Sequence, residues 1–166
     1  MKLLRIIFIS SIIFNYTILN AQNYTSAIGI KGGSVISSSG FGGINFKHFF
    51  GSSNAVELTA SASVRNFRFQ ALYEWQKPTG WEDGLDWYIG AGGGFGSWRS
   101  NYWNPGNNKH NISGGFFLNG TAVIGLDYTF SDIPLNLAID SGPSVGIINS
   151  HSFGWGGGLA IRYVID

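Results

Sequence analysis

From Val56 to Val64 every even position is apolar (Val56, Leu58, Ala60, Ala62, Val64), while the odd positions from Glu57 to Arg65 hold Glu57, Thr59, Ser61, Ser63 and Arg65. A repeat of two belongs to a strand with two unlike faces, and no helix has it. The parity flips across Asn66. Phe67, Phe69, Ala71, Tyr73 and Trp75 then share one face and Arg68, Gln70, Glu74 and Gln76 the other, with Leu72 the exception. Two antiparallel strands follow directly.

The same test finds strands along the rest of the chain. Ile28 and Ile30 oppose Lys31; Ile44, Phe46 and Phe50 oppose Asn45 and Lys47, with His48 and Phe49 breaking the pattern. Leu85 to Trp98 sets Leu85, Trp87, Ile89, Ala91 and Phe95 against Asp86 and Gly90, Gly92, Gly94 and Gly96. Phe116 to Phe130 opposes its apolar face to Asn119, Thr121, Asp127 and Thr129. Leu135 to Ile147 carries Asn136, Asp140 and Ser144 on its polar face, and a last strand sets Trp155, Leu159, Ile161, Tyr163 and Ile165 against Gly156, Gly158 and Arg162. The expectation is eight antiparallel strands, joined by short turns such as 51–54 and 131–134 and by one long connection, 98–115.

The first 21 residues read differently. Lys2 and Arg5 precede an apolar stretch, Ile6 to Ile13, and Leu19-Asn20-Ala21 fits a cleavage site. This is the pattern of a secretory signal peptide, too short in its apolar run for a spanning helix. Residues 1–21 are therefore read as a cleaved leader and 22–166 as one domain. Cysteine is absent, which excludes disulfides, thiol catalysis and Cys-ligated metal. A net charge of +1 gives no footprint for nucleic acid.

Alternation alone does not distinguish a soluble barrel, apolar within, from a membrane barrel, apolar without. Composition does. Only 11% of the residues are charged, against about 25% in ordinary soluble domains. The polar faces are mostly Gly, Ser, Thr, Asn and Ala, as suits an enclosed surface. Aromatics fall near strand ends on the apolar faces (Phe67, Trp75, Trp87, Phe116, Tyr128, Phe130, Trp155, Tyr163), where a membrane barrel carries its girdles. The fold expected is an all-β, eight-stranded antiparallel up-and-down transmembrane barrel. Its enclosed face holds Lys31, Lys47, Arg65, Arg68 and Arg162 against Glu57, Glu74, Asp86, Asp127 and Asp140. Buried charges need partners, so five against five implies a paired structural network. An eight-stranded interior is just wide enough for side chains to fill, which implies a plugged lumen and little conductance.

The segment GLDYTFSDIPLNLAID (125–140), the closing GGGLAIRYVI (156–165) and the leader ending Asn20-Ala21-Gln22 carry a family resemblance. On these residues the chain resembles the small eight-stranded outer-membrane β-barrel proteins of Gram-negative bacteria, of OmpA and OmpX type. The resemblance covers the whole mature chain. It implies the outer membrane as location, outer-membrane lipid and lipopolysaccharide as surroundings, and the barrel-assembly machinery as a partner. Family members commonly end on an aromatic residue that this machinery reads; the last aromatic here is Tyr163. The architecture hosts adhesins, lipid-modifying enzymes and proteins of no assigned role, so it does not decide activity.

Sites of chemistry are sparse. Gly90 to Gly96 resembles a phosphate-binding loop only superficially, because no helix follows it. His151-Ser152 offers a base and a nucleophile with no carboxylate placed to orient them, and the lipid-modifying enzyme is kept as an alternative on that pair alone. His110 and His151 are too scattered to specify a metal site, and no cofactor is implied. The segment 97–115 carries Trp98, Arg99, Tyr102, Trp103 and Lys109, residue types that dominate binding hot spots. These five are the candidate contacts for an unidentified extracellular ligand, and Arg99 and Lys109 for lipopolysaccharide phosphates. The expectation is a non-catalytic outer-membrane barrel with a structural or surface-interaction role. A secreted soluble barrel carrying an apolar ligand is the reading that would invert the faces.

Overall fold

The computed structural model describes residues 24–35, 41–62, 66–98, 115–148 and 153–165. Eight strands follow one another: β1 (Ser26–Val35), β2 (Phe41–Phe49), β3 (Asn54–Ala62), β4 (Asn66–Pro78), β5 (Leu85–Trp98), β6 (Gly115–Thr129), β7 (Leu135–Ile148) and β8 (Gly154–Ile165). Each pairs antiparallel with the next, and β1 pairs with β8 from Ser26↔Ile165 to Val35↔Gly156, so the sheet closes. Closure leaves no unpaired edge.

The period of two decides which residues face in. Large apolar side chains point outward around the circumference: Ile30 is 64% exposed, Ile44 63% and Leu159 62%. Their sequence neighbours Lys31, Asn45 and Gly158 point inward, and all three are buried. A continuous apolar exterior of this size is stable against lipid and not against water. The faces are therefore opposite to those of a soluble carrier, and that alternative is overturned. Aromatic contacts gather at both ends of the outer wall. Phe67, Phe69 and Phe116 all meet Phe95 at one end, while Trp75 meets Trp87 and Tyr128 meets Phe130 at the other.

Both ends of the chain's described part, Tyr24 and Ile165, lie at the end closed by the turns 50–53, 79–84 and 130–134, here the lower end. Gly80 (φ +75°) and Gly84 (φ +84°) supply the left-handed backbone that the middle turn requires. Thr79 N–H donates to the Leu85 carbonyl at 3.0 Å across it. The upper strand ends are joined by 36–40, 63–65, 99–114 and 149–153. Residues 1–21, the proposed leader, lie outside the described residues.

Candidate functional site

At the lower end of the lumen lies a small apolar cluster of Tyr24, Ala27, Phe49 and Ala55. Tyr24 meets Phe49 edge to face, with ring centroids 5.1 Å apart. Burial holds the Tyr24 phenol above the ordinary tyrosine range, so it stays neutral. Lys47 rises from β2 directly above this cluster, its ammonium 5.3 Å from the Phe49 ring centroid and 4.7 Å from that of Tyr88.

Lys47 is the first of three cations around which the lumen is organised. Fully buried, it lies 2.8 Å from Glu74 and 3.0 Å from Asp127, and donates to Gln76 at 2.6 Å. Gln76 passes the connection on, its amide donating to Asp86 at 2.8 Å. Arg162, from β8, is the second cation. It pairs with Glu57 and donates to Asn45 and, at 2.8 Å, to Asn136, while Asp127 lies 3.4 Å away. Lys31 is the third, 2.6 Å from Glu57 and 2.6 Å from Asp140, and Asp140 also accepts from the Tyr88 hydroxyl at 2.9 Å. Most of the charges are thus both paired and hydrogen-bonded, the condition under which burial is tolerated. Two differ: Asp86 accepts from Gln76 but has no cation within ion-pair distance among the described residues, and Glu74 lies 2.8 Å from Lys47 with neither carboxylate oxygen accepting a hydrogen bond.

Glycines shape the space. Gly125 faces inward beneath Tyr88, and a Cβ there would come within 2.6 Å of the tyrosine ring. The ring therefore lies flat against the wall, which lets its hydroxyl reach Asp140. Gly158 receives the Lys31 side chain and Gly90 that of Glu74 in the same way.

Above this layer the character changes. Asn119 donates to Thr121 at 2.9 Å and to Ser144 at 3.0 Å, a neutral cluster that is only half-buried. Arg68 sits higher still, its guanidinium 5.5 Å from the Phe41 ring centroid and 5.4 Å from that of Phe117.

Of the ten charged residues assigned to the lumen from sequence, the structure brings eight together: Lys31, Lys47, Glu57, Glu74, Asp86, Asp127, Asp140 and Arg162. Arg68 is not among them and is the correction to the expected network. It stands six residues from Glu74 on β4, about 20 Å of strand at 3.3 Å per residue, too far to share its partners. Arg65 lies outside the described residues. Among the described residues the network sets three cations, Lys31, Lys47 and Arg162, among five carboxylates. Tyr88, Asn45, Gln76, Asn136 and Thr129 complete it. Of the binding candidates, Trp98 is the last residue of β5, whereas Arg99, Tyr102, Trp103 and Lys109 lie outside the described residues, as do His110, His151 and Ser152. His48 faces outward near the lower rim, its Nδ1 2.8 Å from the Ser26 hydroxyl. Among the described residues, no group of three or more His, Asp or Glu is placed to hold a metal.

The fold has a known counterpart. The N-terminal β-barrel domain of Pseudomonas aeruginosa OprF superposes with a TM-score of 0.64 at 15% identity, over 87% of this chain and all of that one. The fold is that of the small eight-stranded outer-membrane barrels. No family model matches the chain. No curated protein matches it either.

Proposed function

We propose that this chain is an integral outer-membrane barrel, exported by residues 1–21, with a structural or surface-interaction role and no catalytic one. The observation that carries the reading is the pair of faces: an apolar exterior that needs lipid surrounds an interior whose buried charges are paired with one another. The likeness to the OprF barrel domain supports the same reading through the fold. Lipopolysaccharide and the barrel-assembly machinery are the partners that such a location entails. The lumen network serves stability. With Lys47, Arg162 and Lys31 spanning it, little room is left for ions, so conductance is low. The aromatic and basic segment 97–115, with Trp98, Arg99, Tyr102, Trp103 and Lys109, is the part offered to an extracellular ligand.

Envelope fractionation followed by denaturing gels with and without boiling tests this. The expected result is an outer-membrane protein whose mobility changes on heating, and a soluble periplasmic protein without that shift would overturn the reading. In planar bilayers, Glu57→Gln is expected to leave single-channel conductance unchanged; a large rise would show that the network blocks an open pore.

A further inference from the structure

We propose that the upper mouth of the barrel is a binding site for an oxyanion, a phosphate or carboxylate group, centred on Arg68. Three independent observations converge there. Arg68 is a half-buried guanidinium that makes no ion pair or hydrogen bond among the described residues. The Phe41 and Phe117 rings engage it, which pre-positions the side chain and leaves its five N–H donors without a hydrogen-bond partner among the described residues. A fork of donors held this way matches an oxyanion bidentately.

Among the described residues the surroundings supply more donors and no carboxylate. Ser61 is paired with Arg68 in register across β3 and β4; its hydroxyl, packed on the Gly43 side, is buried without a hydrogen-bond partner and would turn to meet a ligand. Gln70, two residues along on the same inward face, has an amide that makes no hydrogen bond among the described residues. On the other side Arg68 is paired with Gly96. Because Gly96 has no side chain, the Phe117 ring lies against that wall; a Cβ there would meet it at 2.6 Å. Gly96 thus brings the second ring to the guanidinium.

The third observation is the charge of this end. The segments joining the upper strand ends, 36–40, 63–65, 99–114 and 149–153, contain Arg65, Arg99 and Lys109 and not one Asp or Glu. The lower turns 50–53, 79–84 and 130–134 contain Glu82, Asp83 and Asp132 and no Lys or Arg. Such a separation draws anions to the upper end and away from the lower. Placing the upper end outside the cell rests on the outer-membrane reading above; the site itself does not.

Calorimetric titration of the mature chain in zwitterionic nanodiscs with sodium phosphate, at ionic strength held constant with sodium chloride, tests the proposal. Wild type is expected to bind one phosphate. Arg68→Gln should weaken binding by about tenfold or more, the loss of a charged hydrogen-bonding partner, and Ser61→Ala by less. Heat-dependent gel mobility checks that both variants remain folded. Equal binding by wild type and a folded Arg68→Gln, or no binding to any phosphate probe, would overturn the site. Nanodiscs containing a phosphomonoester lipid separate the sources: Arg68-dependent protection from phenylglyoxal by that lipid, without binding of free phosphate, would assign the group to a headgroup. Labelling of Asn107→Cys on intact cells by an impermeant thiol reagent tests the location independently. No labelling with phosphate binding intact would sink the surface reading alone, whereas labelling without binding would sink the site alone.

Discussion

In the lower half of the lumen, Lys31, Lys47 and Arg162 stand among five carboxylates, every one of them buried. In the upper half the same strands turn Gly92, Gly94, Gly96, Thr121 and Ser144 inward, half-buried hydroxyls and amides replace ion pairs among the described residues, and Arg68 leans on two rings. One sheet thus encloses two interiors. The lower is held by interactions that fail together if one member is lost, because a stranded buried charge costs more than its pair contributed. The upper consists of contacts that water can replace. Rigidity and ligand access are separated by height along the same strands.

The sharpest way to break this comparison is to remove one arginine from each half. Arg162→Met should destabilise the barrel by about 3–5 kcal/mol, the cost of breaking a buried pair, while Arg68→Met should stay within about 1 kcal/mol. Urea midpoints of the two variants in lipid vesicles measure both, and similar values would erase the distinction. Within the lower half, Glu57→Gln should cost about 3 kcal/mol, since Glu57 holds both Lys31 and Arg162. Glu74→Gln should cost less, since Lys47 keeps Asp127 as a partner and neither Glu74 oxygen accepts a hydrogen bond; the same unfolding assay ranks them. Gly125→Val should lose about 1–3 kcal/mol by displacing Tyr88 from its wall. Gly42→Ala, where a Cβ meets nothing within 4 Å, should not destabilise. Smallest is Ser144→Ala in the neutral upper cluster, about 1 kcal/mol or less, visible as a slight fall in the temperature of the gel-mobility transition.

Strands were legible in the sequence because parity is a local property, and the eight runs from Ile28 to Ile165 each carry it. Parity also contained the position of Tyr88, which shares a face with Asp86, although nothing local says that its hydroxyl meets Asp140. Leu72 broke the pattern for a physical reason: it is inward and buried, an apolar member of a polar face. What parity does not encode is height. Arg68 and Glu74 lie on one face of β4, and nothing local says that one meets rings and the other meets Lys47. Partners were illegible too, since Asn45, Gln76 and Asn136 join the network through contacts set by barrel closure and not by spacing. Of the proposed loop contacts, Arg99, Tyr102, Trp103 and Lys109 lie beyond the described residues, so the external ligand is carried by residue type alone.

Lys31 reaches Asp140 across 109 residues, and Arg162 reaches Glu57 across 105. Contacts this remote form late, after the entropy of closing a long loop has been overcome. Arg162 travels on β8, the strand that zips to β1, so the seam and the core are completed in one event. A ring closed prematurely without β8 would trap Glu57 and Asp127 short of a cation. The interior therefore reaches its full charge pairing only once the last strand is in place.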